Sequence, residues 1–295
     1  MRISVCICTY QRPVFLKRLL DGLKKQDTNG LFTYSVVVAD NDSQKSAEPV
    51  VREFSKEAPC QVVYCVEPQK NIALVRNQAI RQADGDFIAF IDDDEFPEKN
   101  WLLELFKTCT HWNVEGVLGP VKPHFDQEPP AWIIKGGFYE RPTHVTGFVM
   151  PWNECRTGNV IFRRSLLSNL AEPFNPSFAA GGEDVDFFRR MIQGKCVFIW
   201  CREAVVFETI PPNRWSSSFM IKRALLRGQT NIKHGVGYDL RITKSIIAII
   251  LYAIMLPLLL LFGHHWFMKY FVKIFDHLGK VLAGVGICFI REREM

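Results

Sequence analysis

Short apolar segments alternate with segments of helical periodicity through the first 110 residues of the chain. Strand-like segments lie at residues 3–8, 35–39, 61–66 and 87–91, and helical segments at 14–23, 48–58, 72–83 and 101–109. This order predicts an α/β fold with a mainly parallel central sheet, covered by helices on both faces. Such sheets bind ligands at the carboxyl ends of their strands, so we expect a functional site along that edge.

The later part of the predicted domain is less regular. Residues 119–132 contain four prolines and indicate a long loop or short strands, whereas 197–200 and 204–207 indicate further strands. Residues 181–191 begin in a glycine turn and then follow a helical pattern.

The composition excludes several classes of protein. The 295 residues are 48% hydrophobic and 23% charged, unlike a disordered chain, a collagen-like repeat or a small disulfide-stabilised scaffold. The nine cysteines include no CxxC pair. They predict buried, reduced thiols, which fits a reducing cytosol. Met1-Arg2 leads directly into a strand-like segment, so we expect no signal peptide.

Charge and apolar character are concentrated at the carboxyl-terminal end. Residues 214–295 hold 12 Lys and Arg and 4 Asp and Glu, a net +8 within a chain of +5, so residues 1–213 carry −3. Residues 245–263 contain no charged side chain and are long enough for a bilayer core of about 30 Å. The alternative is a fully buried core helix. Basic residues before the segment favour a membrane: Lys222, Arg223, Arg227, Lys233, Arg241 and Lys244.

A polar stripe follows the uncharged segment, and it consists of Lys269, Lys273, Asp276, His277 and Lys280. Spacings of three or four residues put these side chains on one helical face, as in an amphipathic helix at a membrane interface. Basic residues on both flanks leave one crossing and a re-entrant helix bent near Pro257 both open, and we favour the re-entrant form. This arrangement is typical of membrane contact, and we expect no nucleic-acid binding.

Acidic residues follow two of the predicted strands. Asp40 follows residues 35–39, and Asp92-Asp93-Asp94 follows residues 87–91, so both groups should meet at one edge of the sheet. Three adjacent carboxylates repel one another unless a cation neutralises them. Mg²⁺ or Mn²⁺ would do so and keep coordination positions open for phosphate oxygens. The alternative is a solvated acidic turn that caps the next helix.

A second acidic group, Gly181-Gly182-Glu183-Asp184-Val185-Asp186, opens a predicted helix. Its acids could simply stabilise the helix N-terminus, or one of them could serve as a general base. A third segment, NIALVRNQAI at 71–80, puts Asn71, Arg76 and Asn77 on a helix just before the acidic triplet. A solvent-facing helix would carry more charge.

Several motifs together resemble family 2 glycosyltransferases of the GT-A fold. They are ISVCICTYQRP at 3–13, VVVADNDS at 36–43, NIALVRNQAI at 71–80, IAFIDDDE at 88–95, RTGNVIFRR at 156–164 and GGEDVDFFRR at 181–190. Their order and spacing match over about residues 1–230. The segments LGPVKPHF, PPAW and PPNRWSSSFMIKRALLRGQTN are similar to bacterial exopolysaccharide glucosyltransferases of the succinoglycan type.

The resemblance implies roles for individual residues. Asp184 would be the catalytic base, Asp94 would bind the metal, and Asp92 would contact both the metal and the nucleotide sugar. Asp40 would hydrogen-bond the uracil. Gly158 and Asn159 would line the donor or acceptor sugar pocket. The remaining nucleotide-sugar residues would be Thr9, Tyr10, Arg12, Asp42, Arg76, Asp93 and Arg214, and the acceptor would meet Gly158, Glu183 and Trp215.

One position departs from the family pattern. Many relatives carry a metal-binding His where this chain has Phe207. Glu208 could replace it, or the metal could keep only acidic ligands and water. The pair Arg214-Trp215 resembles the diphosphate-binding Arg-Trp pair of processive relatives, although the preceding Gln pattern is missing; a plain surface arginine is the alternative.

The resemblance therefore implies an inverting, metal-dependent transfer of a hexose from a UDP-sugar to a glycan acceptor in bacterial surface polysaccharide synthesis. The acceptor would be linked to a polyprenyl diphosphate or be an oligosaccharide. The expected domains are 1–213 catalytic, 214–244 basic amphipathic connecting helices, and 245–295 a membrane-embedded and an interfacial helix. The catalytic domain would face the cytoplasm at the inner membrane.

An inactive module that binds lipid-linked glycan or scaffolds an export complex is the alternative. A nucleotidyltransferase lacks support, because CTYQRP at 8–13 is not a glycine- and lysine-rich phosphate loop.

Overall fold

A computed structural model describes residues 1–179, 181–233 and 238–287, with the side chains of 231–241 left aside. The chain divides into two compact units. The first comprises Met1–His124 and Arg141–Thr209, and the second comprises Phe125–Glu140 and Ile210–Met295. The second unit thus includes residues 125–140, which lie within the catalytic domain predicted from the sequence, residues 1–213. The end of the expected interfacial segment, residues 288–295, lies outside the described residues.

The helices and strands follow one another along the chain as an alternating series that becomes helical at the end. The strands are β1 (Arg2–Thr9), β2 (Thr33–Asp40), β3 (Gln61–Val66), β4 (Phe87–Ile91), β5 (Glu95–Pro97), β6 (Gly116–Leu118), β7 (Val121–His124), β8 (Asn159–Arg163), β9 (Phe198–Trp200) and β10 (Val206–Thr209). The helices are α1 (Pro13–Leu23), α2 (Glu48–Ser55), α3 (Ile72–Gln82), α4 (Trp101–His111), α5 (Ala131–Gly136), α6 (Glu183–Gln193), α7 (Ser217–Lys233), α8 (Tyr238–Leu261) and α9 (His264–Gly284).

A seven-stranded sheet forms the centre of the first unit, in the order β3-β2-β1-β4-β8-β6-β9. Strands β1 to β4 are parallel to one another, whereas β8 is antiparallel to both β4 and β6. The predicted α/β fold with a mainly parallel sheet is confirmed. A smaller sheet, β5-β10-β7, pairs β10 antiparallel to β5 and parallel to β7.

Two apolar cores cover the two faces of the large sheet. Successive side chains of a strand point to opposite faces, so Val5 and Val36 join one core and Cys6 and Val37 join the other. All four are fully buried, which explains why these strands are continuously apolar in sequence. The eight described cysteines are free thiols.

Some local predictions were incomplete. Strand β8 was not recognised as a strand, and the strand expected at 204–207 is Val206–Thr209 in the small sheet. Its pairing partners lie at Glu95–Pro97 and Val121–His124. A strand as short as β5 has too few residues to show alternation, so only its hydrogen-bonded partner defines it.

The second unit is a helical assembly. Helices α8 and α9 are joined at Phe262-Gly263 and run back along each other, with Tyr252 beside Tyr270 (ring centroids 5.2 Å apart). Helices α7 and α9 approach very closely, since a Cβ added to Gly228 would lie 2.1 Å from the carbonyl oxygen of Asp276. Aromatic side chains surround a core of Ile133, Tyr139, Ile210, Met220, Ala224, Met268 and Val272.

Helix α8 is long and apolar enough to cross a membrane over Ile242–Leu261, and only 6% of that segment is buried. A core helix of a water-soluble protein would be mostly buried, so the buried-helix alternative is wrong for this segment. Its large exposed side chains are Ile246, Ile247, Ile250, Leu251, Ile254, Met255, Leu258, Leu260 and Leu261.

Candidate active site

The carboxyl ends of β1, β2 and β4 meet at one edge of the large sheet. Thr9 lies opposite Asp40 in the β1–β2 register, and the acidic triplet follows β4, which pairs with β1 on its other side. The hydroxyl of Thr9 donates to Asp93 across 2.8 Å. The structure therefore brings together acidic groups that lie about fifty residues apart in the sequence.

The acidic triplet divides into two buried carboxylates and one that is half exposed. Arg12 donates through one nitrogen to Asp93 (3.1 Å) and Asp94 (3.3 Å). Burial raises the pKa of Asp93 to about 7, although the charge of Arg12 opposes that rise. The side chain of Asp92 is 46% exposed, so of the three it has the most surface for a ligand.

Arg76 connects the triplet to helix α6. Its guanidinium donates to Glu183, and another of its nitrogens lies 3.6 Å from Asp92. The side chains of Arg76 and Glu183 are only 8% and 4% exposed, so this ion pair is screened little by water. Helix α3 holds Arg76 in place because Asn71 caps its N-terminus through Ala73 N (2.9 Å) and Leu74 N (3.3 Å).

Helix α3 also fixes the loop before α6. The side chain of Asn77 donates to the carbonyl of Phe174 (2.7 Å) and accepts from its amide (2.9 Å). Asn71 donates to the carbonyl of Pro176 at 3.0 Å. The segment NIALVRNQAI is thus a buried connector between the triplet and the second acidic group, as its low charge indicated.

Helix α6 begins after two glycines with left-handed backbone angles, Gly181 at φ +115° and Gly182 at φ +90°. L side chains rarely adopt such angles, so the sharp entry into the helix favours glycine. Asp184 lies in the first turn, partly exposed, and one of its oxygens accepts the amide of Val185 at 2.7 Å. Asp186 instead pairs with Arg190 at 2.8 Å.

Glu95 and Gly158 lie against Asp92. A Cβ added to Gly158 would sit 2.7 Å from Glu95 Oε1 and 3.1 Å from Asp92 Oδ2, so a larger residue would have to displace the Glu95 carboxylate. Glu95 is 1% exposed and accepts the amide of Asp92 at 3.1 Å. Burial, and then the charge of Asp92, raise the pKa of Glu95 well above its usual value. Sequence reasoning assigned Glu95 no role, although it directly follows the triplet.

The small sheet brings a further charged pair to the same place. Glu208 lies opposite Glu95 in the β5–β10 register, and the guanidinium of Arg141 pairs with Glu208. No motif in the sequence pointed to Arg141. Phe207 faces the other side of the strand, stacked on Phe96 with ring centroids 5.4 Å apart.

The described residues fit a metal bound through few protein ligands. In residues 1–179, 181–233 and 238–287, no three His, Cys, Asp or Glu side chains form a metal-binding group. Asp92 and Asp94 bracket the triplet, and Mg²⁺ typically uses one or two carboxylates plus substrate phosphates. This donor set, with Phe207 turned into an aromatic stack, fits a metal whose remaining ligands come from water and diphosphate.

Hydrogen bonds within the protein hold the predicted nucleotide loop in place. Both oxygens of the fully buried Asp40 accept hydrogen bonds, from the amides of Asp42 (3.0 Å) and Ala47 (2.9 Å) and from Tyr64 (2.9 Å). Asp42 accepts the amide of Gln44, which is the main cause of its lowered pKa. The ring of Tyr10 lies under Lys70, with 4.8 Å from Nζ to the ring centroid.

Asn159 makes a different set of contacts from those the resemblance implied. Its Oδ1 accepts from the Trp101 indole at 2.7 Å, and its Nδ2 donates to the carbonyls of Pro120 (3.0 Å) and Ala204 (2.8 Å). It is 3% exposed, and these hydrogen bonds join it to three segments of the first unit.

Arg214 and Trp215 lie in the second unit, in a short 3-10 helix at Pro212–Trp215. The hydroxyl of Tyr139 donates to the carbonyl of Arg214 at 2.7 Å. Trp215 packs near Phe125, with ring centroids 6.1 Å apart. Within this unit, Trp215 is one of the aromatic side chains that pack against the helical core.

Comparison with known proteins decides the family. The model for "Glycosyl transferase family 2" matches residues 4–170, more than half of the chain. The chain belongs to this family. It is 36% identical over 235 residues to the succinoglycan biosynthesis protein ExoM of Rhizobium meliloti, covering 78% of this chain and 74% of that protein. The protein is accordingly a glycosyltransferase, and its relatives include a protein of polysaccharide synthesis.

Solved structures show the same fold. TarS residues 1–349 of S. aureus, in complex with UDP-GlcNAc, superposes with a TM-score of 0.56 at 16% identity, covering 98% of this chain and 93% of that one. The mannosyltransferase PcManGT of Pyrobaculum calidifontis, in complex with GDP-Man and Mn²⁺, gives 0.58 at 18% identity, with 96% and 73% covered. The glycosyltransferase has the GT-A fold that the motifs indicated.

Proposed function

We propose that this glycosyltransferase moves a hexose from a UDP-sugar to a growing surface polysaccharide, with inversion at the anomeric carbon. One observation carries the proposal: Arg76 joins Glu183, at the start of α6, to Asp92 in the acidic triplet. The residue proposed as base, Asp184, is the neighbour of Glu183. The contact therefore fixes the helix that carries the base relative to the carboxylates proposed to hold the donor.

In the proposed reaction, Asp184 accepts the proton of the acceptor hydroxyl as that oxygen attacks the anomeric carbon. The partly exposed carboxylate of Asp184 is accessible to an acceptor, unlike that of Glu183. Mg²⁺ or Mn²⁺ held by Asp92 and Asp94 would neutralise charge on the departing diphosphate. Arg12 donates hydrogen bonds to Asp93 and Asp94, and Thr9 donates one to Asp93, so these contacts hold the triplet in place.

The ligands of similar proteins support a nucleotide sugar as the donor. TarS binds UDP-GlcNAc in its solved complex, PcManGT binds GDP-Man with Mn²⁺, and the 36% identical relative acts in succinoglycan biosynthesis. The relative from succinoglycan biosynthesis supports transfer of a hexose to an exopolysaccharide. We further propose that Asp40 holds the nucleotide loop in shape, since both of its oxygens already accept hydrogen bonds. Asn159 is proposed to position the site indirectly, through its hydrogen bonds to Trp101, Pro120 and Ala204.

Membrane attachment is proposed for the second unit, together with the division into a catalytic part, basic connecting helices and membrane-associated helices. The exposed apolar side chains of α8 support it. Helix α9 runs back along α8 and carries Lys273, Asp276 and Lys280, which an interior position in lipid would disfavour. A hairpin inserted from one face fits these residues better than a full crossing. The free thiols of the described cysteines fit a cytoplasmic face. We propose an acceptor on polyprenyl diphosphate at the inner membrane, which such a face would meet.

A catalytically inactive glycan-binding module is the second candidate. The observation that favours it is the aromatic packing of Phe207, where relatives carry a metal-binding His. The presence of Asp92, Asp94 and Asp184 favours the enzyme.

A panel of nucleotide sugars tests the proposal. The full chain in detergent is incubated with UDP-glucose, UDP-galactose, UDP-GlcNAc or GDP-mannose, with Mn²⁺ or with EDTA, and release of the nucleoside diphosphate is measured. We expect release from one UDP-hexose in Mn²⁺ and little in EDTA. Binding of a UDP-sugar without release, even with lipid-linked glycans added, would favour the inactive module.

A further inference from the structure

We infer that Arg141 binds the diphosphate of the nucleotide donor, an assignment that rests on the proposed function. The guanidinium of Arg141 pairs with Glu208, and its side chain is 36% exposed. In the part of the chain that the structure describes, this is the hydrogen bond that Arg141 makes. A guanidinium has five N–H donors in a planar arrangement, so most of them can still bind phosphate oxygens.

Arg141 lies beside the acidic triplet through a short series of contacts. Glu208 is the register partner of Glu95 on the neighbouring strand, and Glu95 accepts the amide of Asp92. The positive charge of Arg141 acts on all three of these carboxylates. Asp92 and Arg141 are the partly exposed members of this group, at 46% and 36% of their side chains, whereas Glu95 is 1% exposed.

The other two arginines of the site, Arg76 and Arg12, pair with other carboxylates. Arg76 is 8% exposed and pairs with Glu183, so it has little surface left for a ligand. Arg12 pairs with Asp93 and Asp94, the two buried members of the triplet, and its side chain is 41% exposed. Arg141 is therefore a second partly exposed arginine, and it can approach a diphosphate bound at Asp92 from the side of the small sheet.

Local charge makes such a cation necessary. Asp92, Asp93, Asp94, Glu95 and Glu208 put five carboxyl groups around the site, and a diphosphate would add more negative charge. Position 207 supplies a phenyl ring stacked on Phe96 in place of a metal-binding imidazole. Glu208 orients one edge of the guanidinium, and the opposite edge can hold phosphate oxygens in the bidentate geometry that arginine favours.

Nucleotide binding tests the assignment without requiring turnover. Affinities of UDP and UMP, with Mn²⁺ present, are measured by calorimetry for the full chain and for Arg141→Ala, Arg141→Lys and Arg52→Ala. Arg52 is an exposed arginine on α2 and controls for loss of one positive charge. UMP lacks the second phosphate, so retained UMP binding shows that a variant is folded.

We expect Arg141→Ala to weaken UDP binding at least about tenfold, which corresponds to about 1.4 kcal/mol, and UMP binding less than about twofold. Arg141→Lys should lie between, because it keeps the charge and loses the planar donors. Equal losses for UDP and UMP, or no loss for either, would overturn the assignment. If the unmodified chain binds neither UDP nor any UDP-sugar, the proposed function itself is wrong.

Discussion

The guanidinium of Arg76 pairs with the carboxylate of Glu183, 107 residues further along the chain, and both side chains are buried. The pair joins α3, which precedes the acidic triplet, to α6, which carries the proposed base. Because a second carboxylate, Asp92, lies 3.6 Å from the same guanidinium, one arginine contacts both halves of the site. The relationship ties the stability of the fold to the geometry of catalysis.

Removing Arg76 alone should cost more than removing the pair. We expect Arg76→Met to lower the free energy of unfolding by roughly 3–5 kcal/mol, since Glu183 is left charged and buried. The double variant Arg76→Met/Glu183→Met should recover part of that loss. Denaturant unfolding measures both, with Arg81→Met, exposed on the same helix, as control. Strictly additive effects of the two single substitutions would contradict the coupling.

Asp184→Asn should lower turnover at least about 100-fold, in the range expected for a lost general base. Donor affinity should persist, because the amide keeps the size of the side chain. Initial rates and equilibrium UDP-sugar binding measure the two effects separately. Asp186→Asn is the control, since Asp186 pairs with Arg190 on the same helix. Turnover of Asp184→Asn close to that of the unmodified enzyme would exclude Asp184 as base.

Asn159→Ala should destabilise the first unit without a specific effect on the donor. The substitution leaves the Trp101 indole and the carbonyl of Ala204 without their partner, at about 1–3 kcal/mol for each buried group. The carbonyl of Pro120 keeps the amide of Val206. Thermal unfolding gives the stability, and UDP-sugar titration of the folded protein gives the affinity. Asn113→Ala, at an exposed asparagine, serves as control. Unchanged stability with lost donor binding would instead support the sugar contact.

The ion pairs of Asp276 predict a pH effect in the second unit. Burial works against the charged carboxylate, but Arg227 and Lys280 outweigh it and lower the pKa of Asp276 below its ordinary 3.8. The folded state thus binds this proton less readily than the unfolded state, so the contribution to stability is present above about pH 4 and is lost as the pH falls further. Melting curves of the unmodified chain and Asp276→Asn should differ at pH 6, and the difference should shrink as the pH falls below about 4. A constant difference would rule out this linkage.

Charge on the exposed face of α8 should weaken membrane binding and leave the fold intact. Ile254 and Leu258 are 72% and 55% exposed, so Ile254→Glu/Leu258→Glu removes little packing inside the protein. We expect at least about a fivefold lower fraction of protein floating with vesicles that contain anionic lipid, because acidic side chains in lipid are costly. Val14→Glu, at a 78% exposed residue of α1, should float normally. Undiminished flotation of the double variant would mean that α8 is not the anchor.

Local sequence patterns accounted for most of the large sheet and for the position of its functional edge. Strands β3 and β4 have the predicted bounds because they are apolar segments bordered by polar turns; β4 is fully buried, whereas β3, at the edge of the large sheet, is partly exposed. The acidic triplet and the Gly-Gly turn before α6 were visible because their chemistry is unusual for a turn. Strand β8 was missed because its antiparallel partners, β4 and β6, come from distant parts of the chain.

Residues that are neighbours along the chain are enough to predict the α/β series, the acidic strand ends and the apolar helix near the carboxyl terminus. Other contacts form only in the folded chain: Arg76 pairs with Glu183, Asn159 binds Trp101, and the small sheet brings Glu208 and Arg141 to Asp92. Those contacts depend on strand register and on burial of distant segments, and no local periodicity encodes either.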